Sequence, residues 1–230
     1  MRDRVLKVRR LGRFGYAEGL SLQKNLETKV IDDRANDYLL LLEHPHTFTL
    51  GRSANPAGVL ATPEILRKIG AQVFVTNRGG RVTYHGIGQI VGYPIISLSP
   101  DRKDIRKYVR DLEEVLIRSM AEFEIEAFRI EGLPGVHTKD GKIAAIGVHI
   151  KRWVTTHGFA LNVNTDLSYF DRIIACEGEP VSSMEKILGR DLLLSDVENK
   201  LIFNFTEVFG HKIVEEEIDD ASDALRKEIL

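Results

Sequence analysis

KDGKIAAIGVHIKRWVTTHGFALNV, residues 139–163, decides the fold class of this 230-residue chain. Asp140-Gly141, set between Lys139 and Lys142, is a strong hairpin signal, because glycine takes positive φ at no steric cost and aspartate tolerates it. Paired strands follow through residues 143–150 and 155–163, and strands joined by so tight a turn lie antiparallel. Upstream, residues 72–76 and 89–98 have the composition of further strands. Between them lies RGGRVTYHGIGQ, residues 78–89, in which Gly79, Gly80, Gly86 and Gly88 alternate with Arg78, Arg81, Tyr84, His85 and Gln89. Glycines let a backbone lie against a ligand that side chains hold off, and the other five residues supply charge, aromatic surface and hydrogen bonds. The run fits neither GxxxxGK[ST] nor GxGxxG, so a plain turn flanked by strands competes with a binding loop. Either way it is expected at a sheet edge.

Working towards the N-terminus, residues 5–11 suit a strand, and Tyr16, Leu20, Leu26 and Val30 fall near helical spacing. Residues 38–42 form a short apolar run ended by His44 and Pro45, the length of a buried strand. His44 and His46 share a face if that segment is extended. With no third ligand evident, substrate contact or plain surface is preferred to a metal site. Thr62, Pro63 and Gly70 bracket a short helix. Ile105, Tyr108, Val109, Leu112, Val115, Leu116 and Met120 make the clearest amphipathic face. Arg102, Lys103, Arg106, Lys107 and Arg110 cluster at its start, either as a solvated face or as a landing strip for an acidic partner. Towards the C-terminus, Ser195 with Glu198 forms a capping box, Val197, Leu201, Phe205 and Val208 a helical face, and Gly210 a stop. Helices set between strand runs, with hairpins rather than βαβ alternation, define an α+β fold with a mixed, mostly antiparallel sheet and flanking helices.

At 43% apolar residues the chain carries enough hydrophobic material for one sizeable core, and no linker or repeat divides it. The expectation is one catalytic domain over 1–230, with a flexible acidic tail at 215–230. The net charge of −2 does not suggest a nucleic-acid partner. The signs are segregated, however: residues 1–13 carry six basic side chains against Asp3 alone, and residues 212–230 seven acids against three bases. Short apolar runs and a charged N-terminus suggest neither a membrane span nor a signal peptide. A single cysteine, Cys176, excludes an intramolecular disulfide, and a cytoplasmic protein is expected.

A lone cysteine is most often a small buried hydrophobe. Here Ile173, Ile174 and Ala175 lead towards Cys176 like a strand, and Glu177, Gly178, Glu179 and Pro180 break it, a boundary where sites are often built. A thiol becomes a nucleophile when a nearby cation favours the thiolate. Lys142 and several arginines are candidates. A lysine also serves as a base, which an arginine does not.

Residues 78–94 (RGGRVTYHGIGQIVGYP), residues 141–170 and Cys176 together closely resemble the LipB family, the octanoyltransferases of lipoate biosynthesis. The likeness covers residues 39–205 with three motifs in order. It implies a catalytic domain like that of the biotin and lipoate protein ligases. It also implies transfer of an octanoyl group from octanoyl-acyl carrier protein to a lysine of lipoyl domains of 2-oxoacid dehydrogenases and of glycine cleavage H protein. Cys176 is then the thioester-forming nucleophile and Lys142 its acid/base partner. The acyl pocket falls on Arg78, Gly79, Gly80, Arg81, Val82, Thr83, Tyr84, His85, Ala145, Ile146, Gly147, Gly158, Phe159 and Ala160. Val82, Ile146, Val148, Phe159 and Leu161 are candidates for its apolar lining or for plain core. No cofactor, metal, nucleic acid or membrane is implied. The basic strip with Arg78, Lys151 and Arg152 is the expected dock for the acidic carrier. One departure stands out: Ala175 and Glu177 flank the cysteine where the family has proline and glycine, and a carboxylate there disfavours the thiolate. The alternatives are an ATP-dependent lipoate or biotin protein ligase, which needs no cysteine, and a non-catalytic lipoyl-domain binder.

Overall fold

The computed structural model describes residues 5–32, 36–174 and 179–216. Its layering follows from the run at 38–42. Leu39, Leu40, Leu41 and Leu42 lie in β2 (Asn36–Glu43) and are all essentially inaccessible. Successive strand side chains point to opposite faces, so Leu39 and Leu41 enter one core and Leu40 and Leu42 another. A strand covered on both faces has no polar side to show, and its sequence is accordingly uniformly apolar.

The first core is closed by α3 (Ile105–Ala121) and α5 (Leu194–Phe209), through Leu112, Leu116, Leu201 and Phe205 among others. The second is closed by α1 (Tyr16–Asp32), through Leu22, Leu26 and Val30. Between these layers runs an eight-stranded sheet in the order β11 (Lys212–Glu215), β1 (Val5–Arg13), β2, β6 (Gln89–Ile95), β10 (Val154–Asn162), β9 (Gly141–Lys151), β8 (Leu133–Thr138) and β7 (Phe128–Ile130). In this sheet only the β11–β1 and β1–β2 pairs are parallel, so the fold is α+β with a mostly antiparallel main sheet. A smaller sheet holds β3 (Thr47–Leu50) between β4 (Gln72–Val75) and β5 (Val82–His85) around a third apolar cluster containing Phe48 and Tyr84. The short helix α2 (Pro63–Lys68) starts on the Thr62 cap, whose hydroxyl accepts from Ile65 N.

Several details depart from the sequence-based expectations. Asp140-Gly141 does turn the chain, but the two loop residues are Lys139 and Asp140, because Thr138 pairs with Gly141. The helix expected to start on Ser195 begins at Leu194, after Leu193, with no side-chain cap. The glycine-rich stretch is not simply an edge loop: residues 82–85 are strand β5, hydrogen-bonded to β3. Of the strand-like lead at 173–175, Ile173 makes a single bridge to Val59 after a 3₁₀ helix at 167–172, Ile174 is in no strand, and Ala175 lies outside the described residues. Of the expected acidic tail, Glu215 and Glu216 are held against the basic first strand. Glu216 contacts Lys7 Nζ and Arg9 Nε at 2.7 Å each, and Arg10 lies 3.6 Å from Glu215. The segregated charges of the two ends thus meet across a strand pair. The rest of that tail lies outside the described residues.

Truncation at β2 is expected to be felt in both cores. Leu40→Ala should lower the unfolding free energy by about 2–5 kcal/mol through lost burial and the cavity left behind. Phe203→Ala, at a side chain 54% exposed on α5, should change it by less than about 0.5 kcal/mol. Urea unfolding of the two variants checks the contrast.

Candidate functional site

Strand β5 and the loop before it face β9 and β10 across a cavity of about 270 Å³, near the lower end of the ~300–1,000 Å³ usual for small-ligand sites. The loop is fixed at both ends. Arg52 N and Ser53 N donate to Arg78 O and Gly80 O on the small-sheet side, and Gly79 N donates to Val148 O of β9 at 2.9 Å. So close a crossing requires glycine on β9: a Cβ at Gly147 would lie 2.8 Å from Gly79 O. Arg78, only 7% exposed, locks the loop by donating to Thr49 O and Thr49 Oγ1, Gly79 O and Arg81 O.

Arg78, Gly79, Gly80, Arg81, Val82, Thr83, Ala145, Ile146, Gly147 and Ala160 line this cavity with Lys142. His85, Gly158 and Phe159 border a smaller adjoining chamber of about 40 Å³ with Tyr16, Tyr93 and His157. Tyr84 lines neither. Its ring stacks on Tyr169 and its hydroxyl meets His46 Nδ1 at 2.7 Å. Of the five proposed lining residues, Val82, Ile146 and Val148 border the larger cavity, Phe159 the smaller chamber, and Leu161 is core. Buried Arg78 has no place in a docking strip. Arg102 is also otherwise engaged, donating to Val208 O and Phe209 O at the end of α5 and to Asp111. Lys103 lies over the Trp153 ring at 5.9 Å, so the start of α3 adjoins the β9–β10 turn that carries Lys151 and Arg152.

Lys142 stands at the junction of three segments. Its backbone N–H donates to Pro180 O and its carbonyl accepts from Ser182 N, so the chain after Cys176 is bridged to β9 at this residue. Its Nζ is 3.9 Å from Glu179 Oε2. Space for the side chain comes from Gly135 on β8, where a Cβ would lie 2.8 Å from Lys142 Cε. Cys176 lies outside the described residues. On its N-terminal side Ile174 N donates to Gly58 O.

Besides Arg78 and apolar side chains, the smaller chamber is lined by histidines and tyrosines. Gln89 Nε2 donates to Tyr84 O and Asn162 Oδ1, so its Oε1 is the acceptor for His85 Nδ1–H at 2.9 Å. Burial, together with the neighbouring His44 and Arg78, holds the His85 imidazole well below its usual value, leaving Nε2 as an acceptor. His44 donates from Nδ1 to Phe14 O and accepts from the Tyr93 hydroxyl at Nε2, and burial lowers its pKa to about 4. It is neither surface nor paired with His46, because Pro45 turns the chain and sends the two rings into separate clusters. Among the described residues no group of three His, Cys, Asp or Glu side chains is arranged to hold a metal. His157 keeps a left-handed φ of 57° within β10, with its N–H on Gln23 Oε1 and its Nε2 at Asn77 Oδ1, and burial lowers its pKa to about 4.

Glu179, Val109, Leu133 and Pro134 also border the larger cavity, and none had been singled out as a site residue. Glu179 carried a signal, three residues beyond the cysteine, but it had served only as a strand breaker. The other three come from α3 and β8, and only the packing of those elements brings them to the cavity.

The family model for the lipoyl protein ligase A/B catalytic domain matches residues 15–206. The octanoyltransferase of Solibacter usitatus is 48% identical over 208 residues, covering 90% of this chain and 94% of its own. That of Rubrobacter xylanophilus is 48% identical over 214 residues, covering 91% and 96%. Among solved structures, protein Ta0514 of T. acidophilum with bound lipoic acid superposes with a TM-score of 0.76 at 18% identity, covering 97% of this chain and 93% of that one. Lipoate-protein ligase A bound with ATP superposes with a TM-score of 0.73 at 18% identity, covering 100% and 94%. At such identities the likeness is one of fold.

The buried histidines make stability pH-dependent. His44 and His157 each have a folded-state pKa of about 4, below the unfolded value of about 6.5. The unfolded chain therefore takes up these protons first. Their contribution is complete above about pH 6.5 and falls as pH drops towards 4, by up to about 3 kcal/mol for each group. Urea unfolding from pH 7 to 4.5 should show this decline, with a shallower slope in His44→Gln and His157→Asn. Equal slopes in all three proteins would contradict it.

Proposed function

Because this chain belongs to the lipoyl protein ligase A/B catalytic domain family, we propose that it carries an octanoyl group from acyl carrier protein to a lysine of a lipoyl domain through a thioester on Cys176, with Lys142 moving the protons. The chain is an enzyme of the octanoyltransferase type, acting by acyl transfer in lipoate biosynthesis. The acceptors are lipoyl domains, here those of 2-oxoacid dehydrogenases and glycine cleavage H protein. The observation that carries the mechanism is the Lys142 amine in the wall of a largely apolar cavity, on the residue that bridges to the segment after Cys176.

The acyl chain occupies the cavity between β5 and β9, against Val82, Ala145, Ile146 and Val148. The Cys176 thiolate attacks the thioester carbon, and the carbonyl electron pair moves to oxygen. Collapse of this intermediate expels the pantetheine sulfur, which takes a proton from the Lys142 ammonium. The lysine amine of the lipoyl domain then attacks the acyl-enzyme and yields a proton to the now neutral Lys142. The amide forms as the Cys176 sulfur leaves. Exchange of one thioester for another is nearly isoenergetic and the amide is more stable, so no nucleotide is needed.

Mass spectrometry of the protein mixed with octanoyl-carrier protein should reveal one octanoyl adduct on Cys176. Cys176→Ala should abolish both adduct and transfer, and Lys142→Ala should lower kcat by at least about a hundredfold. Full activity in Cys176→Ala, or an obligatory requirement for ATP, would replace this mechanism with that of a ligase.

The carrier surface is assigned to Lys103, Arg106, Arg110, Lys151 and Arg152. All are exposed, and the helix that bears Arg106 and Arg110, just after Lys103, borders the cavity through Val109. Reversing Arg106 and Arg152 to glutamate should raise KM for the carrier severalfold with little change in kcat. An unchanged KM removes the assignment.

A further inference from the structure

His137 lies on β8 directly opposite Lys142 on β9. The register between these strands slips by one residue between Val136 and His137. Regular pairing continued from Val136 and Ala144 would set Thr138, not His137, against Lys142. A bulge that re-aims side chains beside a site is a common device. The imidazole is 3% exposed, and among the described residues neither ring nitrogen has a hydrogen-bond partner. Buried polar groups are nearly always satisfied, so an orphaned imidazole opposite a residue of the cavity wall requires an explanation.

Glu179 Oε2 lies 3.7 Å from His137 Nε2, and this same oxygen is 3.9 Å from Lys142 Nζ. Glu179 Oε2 is itself buried and has no hydrogen-bond partner among the described residues. A contraction of less than about 1 Å turns both contacts into hydrogen bonds. Among the described residues the other charged group acting on the ring is Glu113 of α3, which accepts from Gly135 N and from Arg129 Nε and is thereby engaged. On its other side His137 pairs with Phe128 of β7. Burial and the Lys142 charge hold the imidazole below its usual value, against the opposing pull of Glu179 and Glu113. A neutral ring carries one N–H, and Glu179 is the acceptor within reach of Nε2.

We propose that His137 is a positioning residue for acyl transfer: its Nε2–H holds the Glu179 carboxylate, and that carboxylate holds the Lys142 ammonium against the cavity wall. This rests on the role given to Lys142 above. A lysine has a four-carbon stem with many rotamers, and an amine that must meet first a departing sulfur and then an incoming amine gains from being fixed. No proton passes through His137. The proton transfers are left to Lys142.

The test separates electrostatic coupling from catalysis. In NMR titrations of the His137 imidazole, Lys142→Met should raise its pKa by removing a positive neighbour, and Glu179→Gln should lower it by removing a negative one. This readout does not depend on any acyl-enzyme. In steady-state transfer, His137→Leu and Glu179→Gln should each lower kcat by about tenfold to a hundredfold, at nearly unchanged KM for the carrier. The double variant should be no worse than either single one. His137→Gln, whose amide N–H reaches about the same place as Nε2, should recover most of the rate. Equal losses in His137→Leu and His137→Gln, wild-type kcat in both, or a His137 titration indifferent to Lys142 and Glu179 would overturn the proposal. If His137→Leu fails to fold, Glu179→Gln and His137→Gln carry the same comparison. Responsive titration together with full activity in Cys176→Ala would instead refute the thioester mechanism and leave the coupling standing.

Discussion

The guanidinium of Arg78 is the joint on which the arrangement of this molecule depends. Buried at the crossing of two sheets, it donates to Thr49 of the small sheet and to the carbonyls of Gly79 and Arg81 in its own loop. An arginine is suited to this because its planar fork satisfies several carbonyls at once. With the loop held in that shape, Gly79 N reaches β9, and the space left between the sheets becomes a cavity rather than solvent. The arginine that the sequence presents as a charge for a partner is thus spent on the backbone. The same positive charge helps keep His85 and His157 neutral.

The cavity has two ends of different character. Towards β9 it is apolar and finishes at one amine, Lys142, close to a carboxylate and an imidazole. Towards α1 it finishes at neutral histidines and tyrosine hydroxyls whose hydrogen bonds are mostly internal. The amine and the carboxylate therefore sit at the end nearer the segment that follows Cys176, while the other chamber has only the Arg78 guanidinium, already bonded to the backbone, among its lining charges. Glu177 beside the cysteine looks unfavourable for a thiolate when sequence alone is considered. Glu179, two residues on, suggests that a carboxylate in this segment has a different use, as a partner for the amine.

Backbone geometry underlies this distribution. Gly147 admits the loop, Gly135 admits the lysine stem, and the slip in register beyond Val136 sets His137 across from Lys142. The opposition of His137 and Lys142 was within reach of the sequence: a two-residue turn at 139–140 pairs 138 with 141 and 137 with 142. Taking Asp140-Gly141 as the loop residues displaces that count by one. Similarly, Ser195 and Glu198 satisfied a capping rule, yet α5 starts earlier, because its first residues are held by tertiary contacts rather than by a side-chain cap.

By itself the sequence determined the α+β class, the hairpin, the helices with apolar stripes, the doubly buried β2 and, through its motifs, the family. These are local in origin, set by turn chemistry, periodicity and short runs of residues that act within a few positions of one another. Only the tertiary structure decided that Arg78 is internal, that His44 and His46 part company, that the acidic residues at the end of β11 meet the basic first strand, and that Glu179 comes to Lys142 and His137. Those outcomes depend on which distant segments share a desolvated space, where an unpaired polar group is costly and finds whatever partner the packing brings. No pattern along the chain records that pairing.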